Sequence, residues 1–333
     1  MKKKIKRLID RARPRWAFLV FAFFVLPAVI NIAVNEFGAE TAPSIALEAP
    51  SRVRRPLDGV FVLAETASSF PIAVIVENMI DARPTSGVAR ANLVWEAPTE
   101  AGITRFLAIY ADGAEVPVIG PVRSARPYYV DWAEEVGALF AHVGGSPEAL
   151  SLIESRDRVV DLNQFWHDES FWRADDRRAP HNVYTATKRL VSALAARKLT
   201  TPPVYGVWKY KEDESFDDRP DTHEFSVDFS TPAYAVSWKY HRTTNEYLRW
   251  QLGTPYRDID GTEARAKNVV ALATDIVVTD EVGRRRIRTI GEGPARIFRD
   301  GMAIEGIWKR PRLDARTRFY DRDGNEIAMN AGT

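Results

Sequence analysis

The sequence predicts an α/β layered domain followed by a mostly β domain, with a transmembrane helix in front of both. Three observations lead there. A long uncharged run follows a basic start, and short apolar runs then alternate with helical patterns. Beyond the charged stretch KYKEDESFDDRPD (residues 209–221), strands separated by turn residues take over.

The elements follow in order. Residues 1–15, MKKKIKRLIDRARPR, carry eight Lys or Arg and one acid, Asp10. Residues 16–34, WAFLVFAFFVLPAVINIAV, are uncharged, and as a helix they reach roughly 28 Å, near the roughly 30 Å hydrocarbon core of a bilayer. Basic residues before this run and Glu36 and Glu40 after it predict a single-pass cell-membrane protein, its amino terminus cytoplasmic and its domains extracytoplasmic. A cleaved signal peptide opens in the same way, but this run outlasts the usual h-region and ends without a clean small-x-small site. Residues 35–55, rich in Ala, Pro and Ser, read as a linker.

Residues 56–215 are assigned to the α/β domain. Strands are expected at 71–76, 93–95, 106–110 and 139–143, whose apolar residues run continuously rather than alternately, as in strands covered on both faces. Helices are expected at 128–136, 147–154 and 187–198. The charged, proline-closed stretch marks a domain junction. Residues 222–333 form the mostly β domain, with strands near 225–229, 234–240, 246–251, 269–278, 285–290, 295–299 and 303–309. Asp300-Gly301 and Asp323-Gly324 are hairpin signals.

Composition narrows the function. The chain has 333 residues, 45% hydrophobic and 27% charged, enough for two proper cores. A formal net charge of +1, with basic and acidic residues interleaved after the first fifteen positions, argues against a nucleic-acid partner. Cysteine is absent, which removes disulfides and a lipid-modified cysteine. His142, His167, His181, His223 and His241 have no close metal-ligand spacing, and Gly291-Glu292-Gly293 lacks the rest of a nucleotide motif. No metal and no cofactor is expected.

Two turns stand out. PVRSARP (residues 121–127) and HVGGSP (residues 142–147) each follow an apolar run and lead into a helix, with Ser124 and Ser146 read as N-caps. Free N–H groups at such starts attract anions, Gly144 and Gly145 let a ligand approach the backbone, and Arg123 and Arg126 add bidentate donors. The plainer reading makes the serines and glycines turn formers and pairs the arginines with acids. In EAPTEAGITRF, Glu96, Glu100 and Arg105 supply an acid, a base and a cation, or an ion-paired loop; RRAPHNVY adds His181 and Asn182. In NQFWHDESFWR, Phe165, Trp166, Phe171 and Trp172 could stack on a sugar or pack beneath a loop. The sequence argues against a nucleophile elbow at Ser146, because Glu148 replaces the last glycine and Pro147 has no N–H for an oxyanion hole.

The segments ENMIDARPTSGVARANLVWEAPTEAGITRFLAIY, IGPVRSARPYYVDWAEEVGALFAHVGGSPEAL and RRAPHNVYT resemble the YerB-like family, also called the DUF3048 family, which includes bacterial lipoproteins. KNVVALATDIVV, IRTIGEGPARIFRDGMAIEGIWKR and TRFYDRDGNEI resemble its carboxy-terminal module. The resemblance implies two modules, an envelope location and a bacterial origin; it brings no activity and no catalytic residue. Family lipoproteins carry a lipobox cysteine that this chain lacks. Members also commonly continue with a tryptophan-bearing strand where this sequence ends in MNAGT, which leaves the last β strand open.

The function expected from this reading is a membrane-anchored extracytoplasmic binding or scaffolding protein of the cell envelope. Its anionic or glycan ligand would lie among Arg105, Arg123, Ser124, Arg126, His142, Gly144, Gly145, Ser146, His181 and Asn182. Its partners would be the membrane, through the amino-terminal helix, that ligand, and an envelope protein. The alternative is an envelope hydrolase or transferase acting on a cell-wall polymer, with Glu96 or Glu100 and His142 or His181 as acid and base.

Overall fold

Alternation within one apolar run decides how the first half is built. In β1 (Ile72–Glu77) every residue is buried, because Ile72, Val74 and Val76 enter one apolar cluster while Ala73 and Ile75 enter another on the opposite face. The computed structural model describes residues 51–111 and 113–333. Around β1 stand β2 (Leu93–Pro98), β3 (Thr104–Tyr110), β4 (Leu139–His142) and β5 (Val160–Asn163), in the order β2-β3-β1-β4-β5. β3 is antiparallel to both of its neighbours, whereas β4 is parallel to β1 and to β5. Helices α1 (Pro127–Glu134) and α2 (Pro147–Ser155) cover the Ala73 face with Tyr128, Tyr129, Trp132, Ala149 and Ile153. Helix α3 (Thr187–Ala196) covers the other face with Leu190 and Leu194.

Two antiparallel sheets make up the rest. β6 (Glu224–Asp228), β7 (Ala235–His241) and β8 (Glu246–Gln251) form a meander. β9 (Asn268–Leu272), β10 (Gly291–Arg299), β11 (Met302–Arg310) and β12 (Arg318–Tyr320) form a sheet in that order. Asp300 and Gly301 join β10 to β11 with φ of 51° and 72°, the two left-handed residues that a tight hairpin of matching twist requires.

This architecture corrects the expected fold class. Among the described residues strands far outnumber helices, and the long helices number three, of eight to ten residues each. The physical reason lies in the pairing: β2 and β3 run antiparallel and are joined by a short turn at Glu100–Gly102, so no crossover helix is needed between them. Among the described residues no helix is long and apolar enough to cross a membrane. The expected transmembrane segment at 16–34 lies outside the described residues, as do residues 1–15 and most of the linker, and the transmembrane helix is not retained.

The first sheet and the later ones are bound together through polar side chains. Arg249 of β8 donates to Glu96 of β2 at 3.1 Å, Thr85 donates to Asp258 at 2.9 Å, and Thr317 donates to Glu135 at 2.6 Å. Within the charged stretch, Tyr210–Lys211 pairs in parallel with Met329–Asn330.

Candidate functional site

Glu77 closes β1 at its carboxyl end, the end of an open sheet where loops gather. Arg105, the second residue of β3, is its partner across the ladder. Residues 121–125 run past the same end, the Glu77 N–H donating to the Pro121 carbonyl at 2.9 Å and the Arg123 N–H to Ile75 at 3.0 Å. Local pairing therefore delivers two guanidinium groups to one carboxylate.

That carboxylate is 2% exposed. Arg123 Nε forms an ion pair with it, Arg105 Nε lies 3.7 Å away, and His181 Nδ1 lies 3.8 Å away. Glu77 Oε1, Arg105 Nε and His181 Nδ1 are all buried and have no hydrogen-bond partner in the protein. A buried polar group left in that state costs about 1–3 kcal/mol, and here the carboxylate oxygen itself and two of its neighbours share it. Burial pushes the Arg105 guanidinium below its ordinary pKa against the opposing pull of Glu77. Its Nη1 donates to the Ser124 carbonyl at 3.0 Å.

Arg126 behaves differently. It grips Glu100 bidentately at 2.6 and 2.7 Å and gives Nη1 to the Ala125 carbonyl at 2.7 Å, so each of its guanidinium nitrogens is already engaged within the protein. Burial works to raise the Glu100 pKa, and the Arg126 contact overrides it to hold the carboxyl below its ordinary value. Arg126, not Ser124, is the N-cap of α1, because Pro127 takes the first helical position. Ser146 does cap α2, accepting from Ala149 N–H at 3.3 Å.

His142 is fully buried, its Nδ1 2.7 Å from the Gly144 carbonyl and its Nε2 2.8 Å from Asp161. Both ring nitrogens are engaged by acceptors, so it presents neither to a ligand. Glu96 accepts from Thr104 at 2.7 Å, Arg249 at 3.1 Å and Asn78 at 3.3 Å. Among the described residues no hydrogen bond joins Glu96 or Glu100 to His142 or His181. Asn182 accepts from Arg173 at 2.9 Å, on the hairpin beside His181. Arg105, Arg123 and His181 thus meet; Arg126, Ser146, His142 and Asn182 serve caps and pairs around them.

Gly144 and Gly145 carry the backbone past residues 123–125. Val143 N–H donates to the Arg123 carbonyl at 3.1 Å, and Ala125 N–H donates to the Gly144 carbonyl at 2.9 Å. Gly144 has φ of 60°, and a Cβ there would stand 2.9 Å from the Phe165 ring. Gly144→Ala is therefore expected to lower stability by about 1–3 kcal/mol, read as a fall in the urea midpoint at unchanged slope. Phe165 and Trp166, on the loop after β5, are 62% and 77% exposed, whereas Phe171 is buried and Trp172 is partly covered by Tyr184 and Arg189. One aromatic pair of that loop is packed and the other is open.

Sequence reasoning missed Glu77, the hub. The available signal was a lone carboxylate ending a six-residue buried run at the carboxyl end of a strand. Asp161 and Arg249 were missed as well, and their contacts cross long sequence separations with no local pattern. Among the described residues no three His, Asp or Glu side chains come together as a metal-ligand group.

The comparisons with known proteins agree across both halves. Residues 57–200 match a family described as "Protein of unknown function (DUF3048) N-terminal domain", and residues 225–333 match the "Protein of unknown function (DUF3048) C-terminal domain". The chain is 31% identical over 303 residues to "Putative lipoprotein YerB" of Bacillus subtilis (strain 168), covering 88% of this chain and 85% of that protein. The crystal structure of the YerB protein from Bacillus subtilis is similar with a TM-score of 0.75 and 29% identity, over 84% of this chain and 94% of that one.

Proposed function

The chain belongs to the DUF3048 family, and on that footing we propose that it is an envelope-associated, extracytoplasmic binding protein whose Glu77 cluster holds a hydroxyl-rich, glycan-like ligand. The envelope location rests on the similarity to a protein named a lipoprotein. The ligand class rests on one observation: buried atoms without partners at this place include an acceptor, Glu77 Oε1, a donor, Arg105 Nε, and His181 Nδ1, which can serve as either.

A sugar hydroxyl donates and accepts at once, so it can satisfy both kinds. A simple anion would satisfy the guanidinium groups and meet the Glu77 charge head-on. On the loop after β5, whose Phe165 ring lies against Gly144, the open rings of Phe165 and Trp166 offer apolar faces of the kind on which pyranose rings lie. An acid–base hydrolase is not favoured, since Glu96 and Glu100 are each held by an arginine and neither is bonded to a histidine.

The test is thermal unfolding of the full chain with an N-acetylglucosamine tetramer, with glucuronate and with inorganic phosphate. The tetramer is expected to raise the midpoint, by about 2.7 kcal/mol of stability at a hundredfold excess over Kd, and His181→Ala and Trp166→Ala are expected to lose the shift while folding normally. A shift with phosphate alone, or a tetramer shift that survives both substitutions, would overturn the assignment.

A further inference from the structure

A second place in the molecule, independent of the Glu77 cluster, is a partly open cavity of about 420 Å³ between the first sheet and the later ones. That size falls within the range of ligand pockets, about 300–1,000 Å³. Its walls are rich in aromatic rings, among them Trp95, Trp132, Trp208, Trp238 and Phe319. Two strands run along it over their whole lengths, β2 (Leu93–Pro98) and β9 (Asn268–Leu272). Both are edge strands: among the described residues β2 pairs only with β3, and β9 only with β10.

The direction of the free groups on β9 follows from its ends. Ala273 N–H turns inward to the Pro294 carbonyl at 3.0 Å, while Asn268 N–H turns outward to Thr333 at 3.2 Å. With a period of two, Val270 and Leu272 share the outward direction of Asn268 and direct their N–H and C=O away from β10. In addition the indole N–H of Trp95, a residue 8% exposed, is buried without a partner.

We infer that this cavity is a slot for an extended peptide strand with β-branched or aromatic side chains, supplied by a partner protein. The choice of occupant comes from the unpaired groups. An acyl chain would fill the aromatic space and leave the strand edges and the Trp95 N–H unsatisfied, whereas an added strand pairs with an edge and packs alternate side chains into the pocket.

The experiment uses the full chain and a blocked octapeptide of alternating threonine and valine with a lysine at each end, followed through the fluorescence of the cavity tryptophans. A second peptide carries backbone N-methyl groups on alternate residues, a fatty acid serves as the apolar control, and the Val270→Pro variant removes one outward N–H at an edge where proline is tolerated. Saturable binding of the plain peptide is expected, weakened at least tenfold by N-methylation and by Val270→Pro. Equal binding of the N-methylated peptide, no binding of the plain one, or saturation by the fatty acid alone would overturn the inference; because N-methylation alters only the peptide, the outcome does not hang on the variant folding.

Discussion

Glu77→Gln lowers the unfolding free energy of the chain by about 3–5 kcal/mol, the loss expected when one partner of a buried ion pair is removed. The amide keeps the shape of the carboxylate, so packing is unchanged and the charge alone is tested. What remains is Arg105, 7% exposed at its side chain, facing Arg123, 21% exposed, with no anion between them. The loss is read in urea denaturation as a lower midpoint at constant slope. Adding Arg105→Met to Glu77→Gln should return part of it, because contacting residues couple by about 0.5–3 kcal/mol. A loss under about 1 kcal/mol would mean that the carboxylate is solvated and is no hub.

The same cluster shows what the sequence could and could not disclose. The apolar runs that became β1, β3 and β4 were legible because strands buried on both faces need no polar alternation. The Asp300-Gly301 hairpin was legible because few residue pairs accept two left-handed positions. Strand order was not, since a mixed sheet with an antiparallel β3 leaves the same local pattern as a parallel one. The three expected helices stand where they were placed, near 128–136, 147–154 and 187–198; the fold class failed because strands outnumber them so heavily.

Site chemistry divides along the same line. Arginines and a histidine that belong near a carboxyl end of the sheet could be picked by type, and Arg105, Arg123 and His181 do meet there. Which carboxylate each meets is a matter of tertiary distance: Arg123 reaches Glu77 across 46 residues and Arg249 reaches Glu96 across 153. The N-cap error at Ser124 has a local cause. Pro127 at the first helical position makes the residue just before it the cap, the rule that Ser146-Pro147 obeys and Arg126-Pro127 obeys without a capping side chain.

Asp300 supports the second large prediction. Its carboxylate, 3% exposed, sits in the hairpin between β10 and β11 and accepts from Lys211 at 2.8 Å, Arg299 at 2.9 Å, Asn245 at 2.8 Å and Asn330 at 2.5 Å. These ties reach the start and the end of the later half of the chain, so one side chain holds together Tyr210–Lys211, the β7–β8 turn and Met329–Asn330. Burial works to raise its pKa, yet the bonds from Lys211, Asn245 and Asn330 win and hold it well below the usual carboxylate value. A folded pKa below the unfolded value of about 3.9 means that the stabilisation is fully present above that pH and is lost as pH falls through the folded value. Asp300→Asn, which keeps the left-handed backbone tolerated, is expected to cost about 3 kcal/mol at pH 7, the low end for a broken buried pair. The gap between the unfolding free energies of the two proteins should then narrow below about pH 4, because only the parent loses the charge. Urea midpoints measured from pH 7 down to the acid limit of folding decide it: a gap that stays constant would show that the carboxylate contributes by shape and not by charge.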